Sequence, residues 1–348
     1  MRLGRRLADV LSLSWRKAPP PLAVTGDELA DLEPRLIASG AWGLVAWRVR
    51  GSALEKTPAG QRLLNLYRHQ VMANALRETK IAEVFRTLHA AGVEPLLGKG
   101  WAIARSYPET GLRPSGDIDL YVRRAEHPRA RAVLSGEARH VVDLHEGIAE
   151  LDDRDEAGVF ERARLVTVAA TPVRILSPED HLRLVTLHAL RHGLIRPLWL
   201  CDVAVLLETL PGNFGWADFL AGSPARTGWA VAALHLAGTL LGASQAAVPG
   251  EWRVREQPAW LAPAVLAEWG AGRIPQGMRA PMLRALGRPR AFVHGLFLRW
   301  PNPVEATVGL GLSLGTWPPV PAQLAECARR AGLFGARLAH HLVLAKKR

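Results

Sequence analysis

The spacing of apolar residues changes twice along the chain. Residues 1–92 repeat apolar positions at the i, i+3, i+4, i+7 spacing that is typical of helices. Residues 93–176 contain short runs in which polar and apolar side chains alternate, as they do in strands with one buried face. Residues 177–348 return to the helical spacing. The pattern predicts an α+β fold in which a small mixed-sheet core is flanked by an N-terminal and a C-terminal helical region.

Capping residues mark where the flanking regions meet this core. Thr57 followed by Pro58 predicts the start of a long helix, because threonine caps free N–H groups and proline suits the first helical position. Gly92 predicts the end of that helix. Ser177 followed by Pro178 predicts the first helix of the C-terminal region in the same way. One apolar stripe of the long helix is formed by Ile81, Val84, Phe85 and Leu88.

The core is predicted to contain short strands and two short helices. Turn residues such as Gly116 bound the alternating runs. Strands are predicted at 93–97, 117–122, 140–144 and within 165–175, where a hairpin is the alternative. Helices are predicted at 100–106 and 126–135.

Composition favours a globular, cytoplasmic protein. Hydrophobic residues make up 49% of the chain, which excludes an intrinsically disordered protein. The most apolar stretch, Trp229 to Leu241, is shorter than the ~20 residues of a membrane-spanning helix and contains His235. The basic N-terminus has only a brief apolar run, so we interpret it as a mature helix and not as a signal peptide. Two cysteines, Cys201 and Cys327, make no disulfide framework and favour a reducing compartment.

The net charge of +12 is unevenly distributed. Residues 1–92 carry +6 and residues 177–348 carry +8, whereas residues 93–176 carry −2. A basic strip without any acidic residue lies between Glu268 and Glu305. Such a strip attracts a polyanion, for example a nucleotide, a nucleic acid or an anionic lipid surface, or is an ordinary solvated surface. Its arginines are Arg273, Arg279, Arg284, Arg288, Arg290 and Arg299.

A glycine turn opens the segment that carries the candidate chemistry. Gly98 and Gly100 flank Lys99 between a predicted strand and a predicted helix. Glycine permits tight turning and close approach of the backbone to a ligand. The free N–H groups of the helix start and the charge of Lys99 then face the same point, which is typical of a phosphate site. We therefore expect these three residues to contact the phosphates of a nucleotide.

Two carboxylates follow this turn on one strand. Asp117 and Asp119 are two residues apart, so strand periodicity directs both to the same face. Asp143, on the next predicted strand, reaches the same place if the two strands pair, and Glu146 is the alternative third acid. Carboxylates beside a phosphate site bind hard divalent cations, so we expect Mg²⁺ or Mn²⁺ here. The set suits in-line attack by an acceptor hydroxyl on the α-phosphorus of a nucleoside triphosphate (NTP).

These residues resemble the signature of the polymerase-beta-type nucleotidyltransferase superfamily, a glycine turn followed by Asp-x-Asp and a later third acid. More narrowly, residues 60–210 are similar to a group of bacterial nucleotidyltransferase family proteins. The motifs that carry this resemblance are Lys99-Gly100, Tyr107-Pro108, Arg113, Asp117-Ile118-Asp119-Leu120, Val142-Asp143-Leu144-His145, Leu176-Ser177-Pro178-Glu179-Asp180, His188, His192 and Asp202.

The resemblance implies a metal-dependent enzyme that transfers a nucleoside monophosphate from an NTP to a hydroxyl of a small molecule, peptide or protein. Asp117, Asp119 and Asp143 are then the catalytic and metal-binding acids. The resemblance also implies that the helix carrying His188 and His192 lines the cleft opposite these acids. The expected nucleotide contacts are Gly98, Lys99, Gly100, Arg113, Ser115, His188, His192 and Asp202.

Two features depart from the pattern of this group. The connection between the helix after Asp-x-Asp and the strand of Asp143 spans only residues 135–140 and is shorter than in the group. Gly98 stands where an apolar residue is commoner.

Other interpretations of the same residues remain open. Arg113 either clamps a phosphate or closes the loop before Pro114. His188 and His192, with His181 on the same side, have a spacing that binds zinc in some proteins, or they pack within the helices. The alternative functions are a catalytically silent nucleotide-binding or scaffold protein and an RNA-directed nucleotide-adding enzyme, although no RNA-binding module is recognisable.

Overall fold

The computed structural model describes residues 1–134, 141–272, 290, 299–315 and 319–345. Within them, the predicted α+β class is confirmed, because a five-stranded mixed sheet lies between helical regions on either side. Outside the described residues lie the connection 135–140 and, in the basic strip, Arg273, Arg279, Arg284 and Arg288.

The sheet combines parallel and antiparallel pairs. Its strands are β1 (Leu96–Leu97), β2 (Ile118–Val122), β3 (Val142–Glu146), β4 (Arg164–Val168) and β5 (Thr171–Ile175). They lie in the order β3-β2-β1-β5-β4. β1 is antiparallel to β2 and parallel to β5, β2 is parallel to β3, and β4 and β5 form an antiparallel hairpin.

Helices make up most of the remaining described chain. They are α1 (Arg2–Leu11), α2 (Gly26–Ser39), α3 (Trp42–Val49), α4 (Pro58–Ala90), α5 (Lys99–Ala104), α6 (His127–Val133), α7 (Glu156–Glu161), α8 (Pro178–Arg191), α9 (Pro197–Glu208), α10 (Trp216–Leu220), α11 (Pro224–Leu241), α12 (Gly250–Arg253), α13 (Leu261–Ala271), α14 (Pro303–Gly309) and α15 (Val320–Ala345). Short 3-10 helices span Ala53–Lys56, Thr110–Leu112 and Ala149–Leu151. No helix in the described part of the chain is long and apolar enough to cross a membrane.

The predicted helix boundaries around the core are confirmed. The side chains of Thr57 and Ser177 each accept a hydrogen bond from a backbone N–H in the first turn of α4 and α8. α4 ends at Ala90, and Gly92 follows with a φ of 68°, which suits a residue without a Cβ. The hairpin alternative for residues 165–175 is also confirmed.

Three strands differ from their predicted bounds. β2 begins at Ile118, one residue later than predicted. Only Leu96 and Leu97 of the segment 93–97 join the sheet as β1. Pro95 has no N–H to donate to a strand ladder, so pairing starts after it. β3 begins at Val142, later than the predicted start at residue 140.

The two faces of β2 have different surroundings. Ile118, Leu120 and Val122 are buried in one apolar cluster with the predicted stripe of α4. Side chains alternate along a strand, so Asp119 and Tyr121 point to the other face. That face borders a cavity, which residues of α8 and α9 close from the opposite side.

The N-terminal and C-terminal helices share an apolar core. α1 packs against α13, and Leu7 and Leu11 are buried in the same cluster as Leu266 and Trp269. This cluster also includes apolar side chains of α8 and α9, so it fixes those helices over the sheet. The division of the chain into residues 1–92, 93–176 and 177–348 stays a prediction.

Replacing Gly98 with alanine is expected to destabilise the fold. A Cβ at this position would lie 2.5 Å from Cε2 of Tyr121, whose ring is held by stacking on His145. Overpacking of this kind costs roughly 1–3 kcal/mol. The control is Gly116→Ala, since a Cβ there would meet nothing within 4 Å among the described residues. Urea unfolding is the measurement, and an unchanged midpoint for Gly98→Ala would show that the ring does not require this glycine.

Candidate active site

The candidate site depends on the pairing of β2 with β3. The strands run parallel, with Asp119 opposite Asp143 and Tyr121 opposite His145. Because side chains alternate along a strand, all four lie on one face of the sheet. The expected pairing is therefore present, and it brings the second acid of Asp-x-Asp beside the predicted third acid.

Asp119 is the buried carboxylate of this pair, with 8% of its surface exposed. Its Oδ1 atom lies 2.6 Å from Nζ of Lys99 and 3.5 Å from Nε2 of His145. Burial acts to raise the pKa of Asp119, but the adjacent imidazole and ammonium groups outweigh burial and hold this pKa below its ordinary value. Asp119 is therefore ionised at neutral pH.

A second carboxylate and an imidazole complete a cluster of cation ligands. Nε2 of His145 lies 3.1 Å from Oδ2 of Asp143, whose side chain is 49% exposed. Donor atoms of Asp119, Asp143 and His145 all lie within 4.8 Å of one another. This spacing and the charge of the carboxylates fit a divalent cation.

Asp117 lies just before β2 and not within the strand. Its exposed side chain lines the same cavity as Asp119, but it is outside the cluster of donor atoms within 4.8 Å. Burial lowers the pKa values of Arg77 and Arg196, and the charge of Asp117 opposes this effect at both. Its role as a metal ligand stays a prediction.

The turn from β1 to α5 brings Lys99 to the carboxylates. The backbone φ angles of Lys99 and Gly100 are 39° and 29°, so both residues lie on the left-handed side, where glycine is favoured. A Cβ on Gly100 would lie 3.5 Å from Cβ of Ser115 and 3.8 Å from Oδ2 of Asp119. This irregular turn takes the place of the regular helix start that was predicted. It positions the ammonium group of Lys99 beside Asp119.

Imidazole and indole rings from α8 and α9 form the wall opposite the acids. The ring centroids of His188 and His192 are 4.6 Å apart, and that of Trp199 lies 5.4 Å and 5.5 Å from them. The two histidines therefore occupy the expected wall, although their contact with a nucleotide stays a prediction.

Glu150 fixes one histidine of this wall. Its Oε1 atom lies 3.4 Å from Nδ1 of His188 and 3.5 Å from Nη1 of Arg191. Burial acts to raise the pKa of Glu150, but His188 and the charges of Lys99 and Arg191 outweigh it and lower this pKa to about 2. The carboxylate is therefore charged at neutral pH and holds one ring nitrogen of His188.

Cations from the helices face the acids across the cavity. Arg191 is half-exposed and Arg196 is largely covered, and both line the cavity. Nε of Arg196 is buried and has no hydrogen-bond partner among the described residues. With Lys99, these residues make a polarised cleft of a kind that attracts phosphate groups.

Arg113 and Asp202 form a buried ion pair in the lining of the cavity. Nε and Nη2 of Arg113 each donate to a carboxylate oxygen of Asp202 at 3.0 Å, and Nη1 donates to the carbonyl oxygen of Pro114. The hydroxyl of Tyr107 donates to the same carboxylate at 2.9 Å. Because its fork is already occupied, the geometry favours the interpretation in which Arg113 closes the loop before Pro114. As nucleotide contacts, Arg113 and Asp202 stay predictions.

The two walls enclose a cavity of about 600 Å³. This volume is in the range of small-molecule sites. Gly98 and Ser115 do not line it, and Oγ of Ser115 instead lies 3.5 Å from Oδ1 of Asn74. Its lining includes the expected residues Lys99, Gly100, Arg113, Asp117, Asp119, Asp143, His188, His192 and Asp202. It also includes, with no role foreseen from the sequence, Tyr121, His145, Glu150, Arg191, Arg196 and Trp199.

Some of the lining residues without a predicted role could have been identified from the sequence, and others could not. His145 and Tyr121 each follow an acid by two residues, so strand alternation indicates that they share its face. Glu150, Arg196 and Trp199 reach the cavity through the packing of a 3-10 turn and of α9. No local sequence signal indicates these last three residues.

The zinc interpretation has no support within the described residues. His181 lies on α8 but borders a different cavity, beside α5 and β4, and is therefore separate from His188 and His192. Burial, with the charges of Arg113 and Arg164, lowers the pKa of His181 to about 4. Across the described part of the chain, no third ligating side chain joins His188 and His192 within 4.8 Å.

Removing the charge of Asp202 is expected to destabilise the protein. Asp202→Asn leaves the guanidinium of Arg113 buried without its carboxylate, which costs roughly 3–5 kcal/mol. Combining Arg113→Met with Asp202→Leu removes both charges, so this double variant should lose less stability. The control is Glu94→Gln, because the ion pair of Glu94 with Arg174 is exposed. Urea unfolding measures all variants, and equal losses for Asp202→Asn and Glu94→Gln would contradict a structural role for the buried pair.

Comparison with known proteins agrees with this geometry. A family described as uncharacterised nucleotidyltransferase matches residues 36–139 and 137–242. These segments cover more than half of the 348 residues and contain both walls of the cavity. They meet at residues 137–139, within the short connection that departs from the group's pattern. No curated protein and no solved structure matches the chain. The chain belongs to this family of nucleotidyltransferases.

Proposed function

We propose that the protein transfers a nucleoside monophosphate from an NTP to a hydroxyl group of a small molecule, peptide or protein. The acceptor oxygen forms a bond to the α-phosphorus, the bond from this phosphorus to the oxygen shared with the β-phosphate breaks, and pyrophosphate leaves. The observation that carries this proposal is the parallel register that sets Asp119 beside Asp143 in a cavity with a cationic opposite wall.

The charges on the two walls support the binding of a triphosphate between them. Lys99, Arg191 and Arg196 border the cavity and supply donors for phosphate oxygens. Divalent cations held by the acids, Mg²⁺ or Mn²⁺, supply the remaining positive charge beside the phosphates when bound. The volume of about 600 Å³ is sufficient for a small-molecule ligand of this kind.

We assign to Asp143 the role of accepting the proton from the acceptor hydroxyl. Its side chain is 49% exposed, so an acceptor can reach it from solvent, whereas Asp119 is buried and paired with Lys99. A carboxylate within hydrogen-bond reach of the attacking hydroxyl accepts its proton as the new bond to phosphorus forms.

The alternative functions differ in what they require of these residues. A catalytically silent binding or scaffold protein does not need a closely spaced donor cluster such as that of Asp119, Asp143 and His145. An RNA-directed enzyme needs a surface for RNA, and the sequence contains no recognisable RNA-binding module. We therefore prefer a small molecule, peptide or protein as acceptor. We also propose a cytoplasmic location, in which Cys201 and Cys327 stay as free thiols.

Replacing the acids one at a time should separate nucleotide binding from turnover. Asp117→Asn and Asp119→Asn should each weaken the binding of NTP with Mg²⁺ by roughly tenfold or more, because asparagine lacks the charge that holds the cation. Asp143→Asn should keep this affinity within about threefold, because the cation that holds the triphosphate needs mainly Asp117 and Asp119. It should still stop pyrophosphate release, because it removes the proton acceptor. Calorimetry with each common NTP and a pyrophosphate assay in cell extract are the measurements.

The control for these variants is Asp27→Asn, which removes an exposed carboxylate on α2 and should change neither quantity. Wild-type affinity should also fall when EDTA removes the metal. Equal affinity with and without EDTA would contradict a metal-dependent site. Normal turnover of Asp143→Asn would assign the proton acceptor elsewhere, with Glu146 at the cavity edge as the next candidate.

Replacing Lys99 should change metal and nucleotide affinities in opposite directions. Its ammonium group lies 2.6 Å from Oδ1 of Asp119 and competes there with a cation. Lys99→Met should raise Mn²⁺ affinity without nucleotide and lower NTP affinity, each by roughly tenfold, a change expected for one hydrogen bond between charged groups. The control is Lys80→Met, on the exposed face of α4. If Lys99→Met lowered both affinities, Lys99 would support the acids instead of competing with the metal.

A further inference from the structure

The donor cluster contains a nitrogen ligand where a carboxylate is expected. Asp119 and Asp143 each offer an oxygen, and His145 offers Nε2 at 3.5 Å from Oδ1 of Asp119 and 3.1 Å from Oδ2 of Asp143. Asp117, which was expected as a metal ligand together with these two acids, lies outside the cluster. A cation held here therefore meets an oxygen and nitrogen donor set in place of an all-oxygen one.

The orientation of His145 is fixed by its neighbour on β2. The ring stacks on Tyr121, with the centroids 4.7 Å apart and the planes 17° from parallel. Tyr121 is itself immobilised, because only 1% of its surface is exposed and Gly98 lies directly against its ring. Stacking thus holds the imidazole plane in place with Nε2 on the side of the two carboxylates.

Nε2 of His145 has no hydrogen-bond partner in the described structure and is available to bind a ligand. The atom is buried and, despite the two nearby oxygens, has no hydrogen bond of acceptable geometry among the described residues. The hydroxyl of Tyr121 is likewise buried without a partner among those residues, in the lining of the same cavity. Buried polar atoms without partners are uncommon in native proteins and point to a group that binds there.

We propose that His145 is a metal ligand, with Asp119 and Asp143, and that this site prefers a transition-metal ion such as Mn²⁺ over Mg²⁺. Mg²⁺ requires oxygen ligands in near-octahedral geometry, whereas imidazole nitrogen binds first-row transition metals more strongly. The stacked ring is already held in position before a metal binds, so little orientational freedom of the imidazole is lost on binding. The inference rests on the proposed function only in that the bound metal would serve the same transfer.

The test uses Mn²⁺ alone as the probe, on the full-length protein without an affinity tag and without nucleotide. Electron spin echo envelope modulation spectroscopy detects the nitrogen nucleus of an imidazole that is bound directly to Mn²⁺. The wild-type spectrum should show this coupling. Calorimetry should show that Mn²⁺ binds more tightly than Mg²⁺ by roughly tenfold or more. This factor is of the size by which metal affinity falls when the surroundings of a metal ligand are changed.

The variant His145→Phe keeps a flat ring on Tyr121 and removes the nitrogen. It should lose the nitrogen coupling and the preference for Mn²⁺, while Mg²⁺ affinity changes by less than about threefold. The control is His69→Phe, an exposed histidine of α4, which should keep both properties. Circular dichroism melting of the variants separates loss of a ligand from loss of the fold.

The outcomes distinguish this inference from the proposed function. Bound Mn²⁺ without nitrogen coupling in the wild-type protein would overturn the assignment of His145, whether or not transfer is observed. Coupling that persists in folded His145→Phe would overturn it as well. Failure to bind either metal at millimolar concentration would contradict both this inference and the metal-dependent function.

Discussion

The parallel register between β2 and β3 is the constraint on which the candidate site depends. It sets Asp119 against Asp143 and Tyr121 against His145, so one face of two strands carries two carboxylates, an imidazole and a buried phenol. A slip of one residue would turn either set of side chains to the face that packs on α4. The apolar residues Ile118, Leu120 and Val122 prevent this slip, because they fill the cluster with the stripe of α4. The core therefore fixes the chemistry as directly as the acids do.

The helical wall is held by two buried carboxylates, Asp202 and Glu150. The pair between Arg113 and Asp202 ties the loop before Asp117 to α9, and Glu150 ties the turn after β3 to His188 on α8. Both carboxylates have their charge balanced within the protein. Lys99 is paired with Asp119 and Arg191 with Glu150, yet both still line the cavity with Arg196, where they can meet a ligand with negative charge. The cavity thus has an acidic sheet wall and a cationic helix wall, and this separation of charge suits a metal-bound triphosphate.

Strand and helix periodicity was sufficient to predict the fold class, the long helix α4 and the face shared by Asp119 and Asp143. Periodicity was not sufficient to predict that Asp117 lies outside the donor cluster of Asp119. A two-residue spacing directs side chains to the same face only if both residues lie within the strand, and β2 begins after Asp117. The extent of β1 depends on Pro95, whose missing N–H removes a pairing site.

Residues that arrive by tertiary packing could not be predicted from local pattern. Glu150 lies in a single 3-10 turn, and Trp199 and Arg196 stand at the start of a helix whose orientation is set by the apolar core. The motif residue His145 was visible in the sequence, but its role depends on the stacking of Tyr121, which follows from the register and from Gly98. For these positions the physical cause is a contact between distant segments.

The most direct measurement of the central claim follows the phosphorus atoms of the nucleotide. Purified protein is incubated with Mg²⁺ or Mn²⁺, cell extract and an NTP that carries a radiolabel at either the α-phosphate or the γ-phosphate. Nucleotidyl transfer predicts that the α-label enters an acceptor fraction, that the γ-label leaves as pyrophosphate, and that Asp119→Asn abolishes the incorporation. Incorporation of the γ-label, or no incorporation from either label with any NTP, would contradict the account.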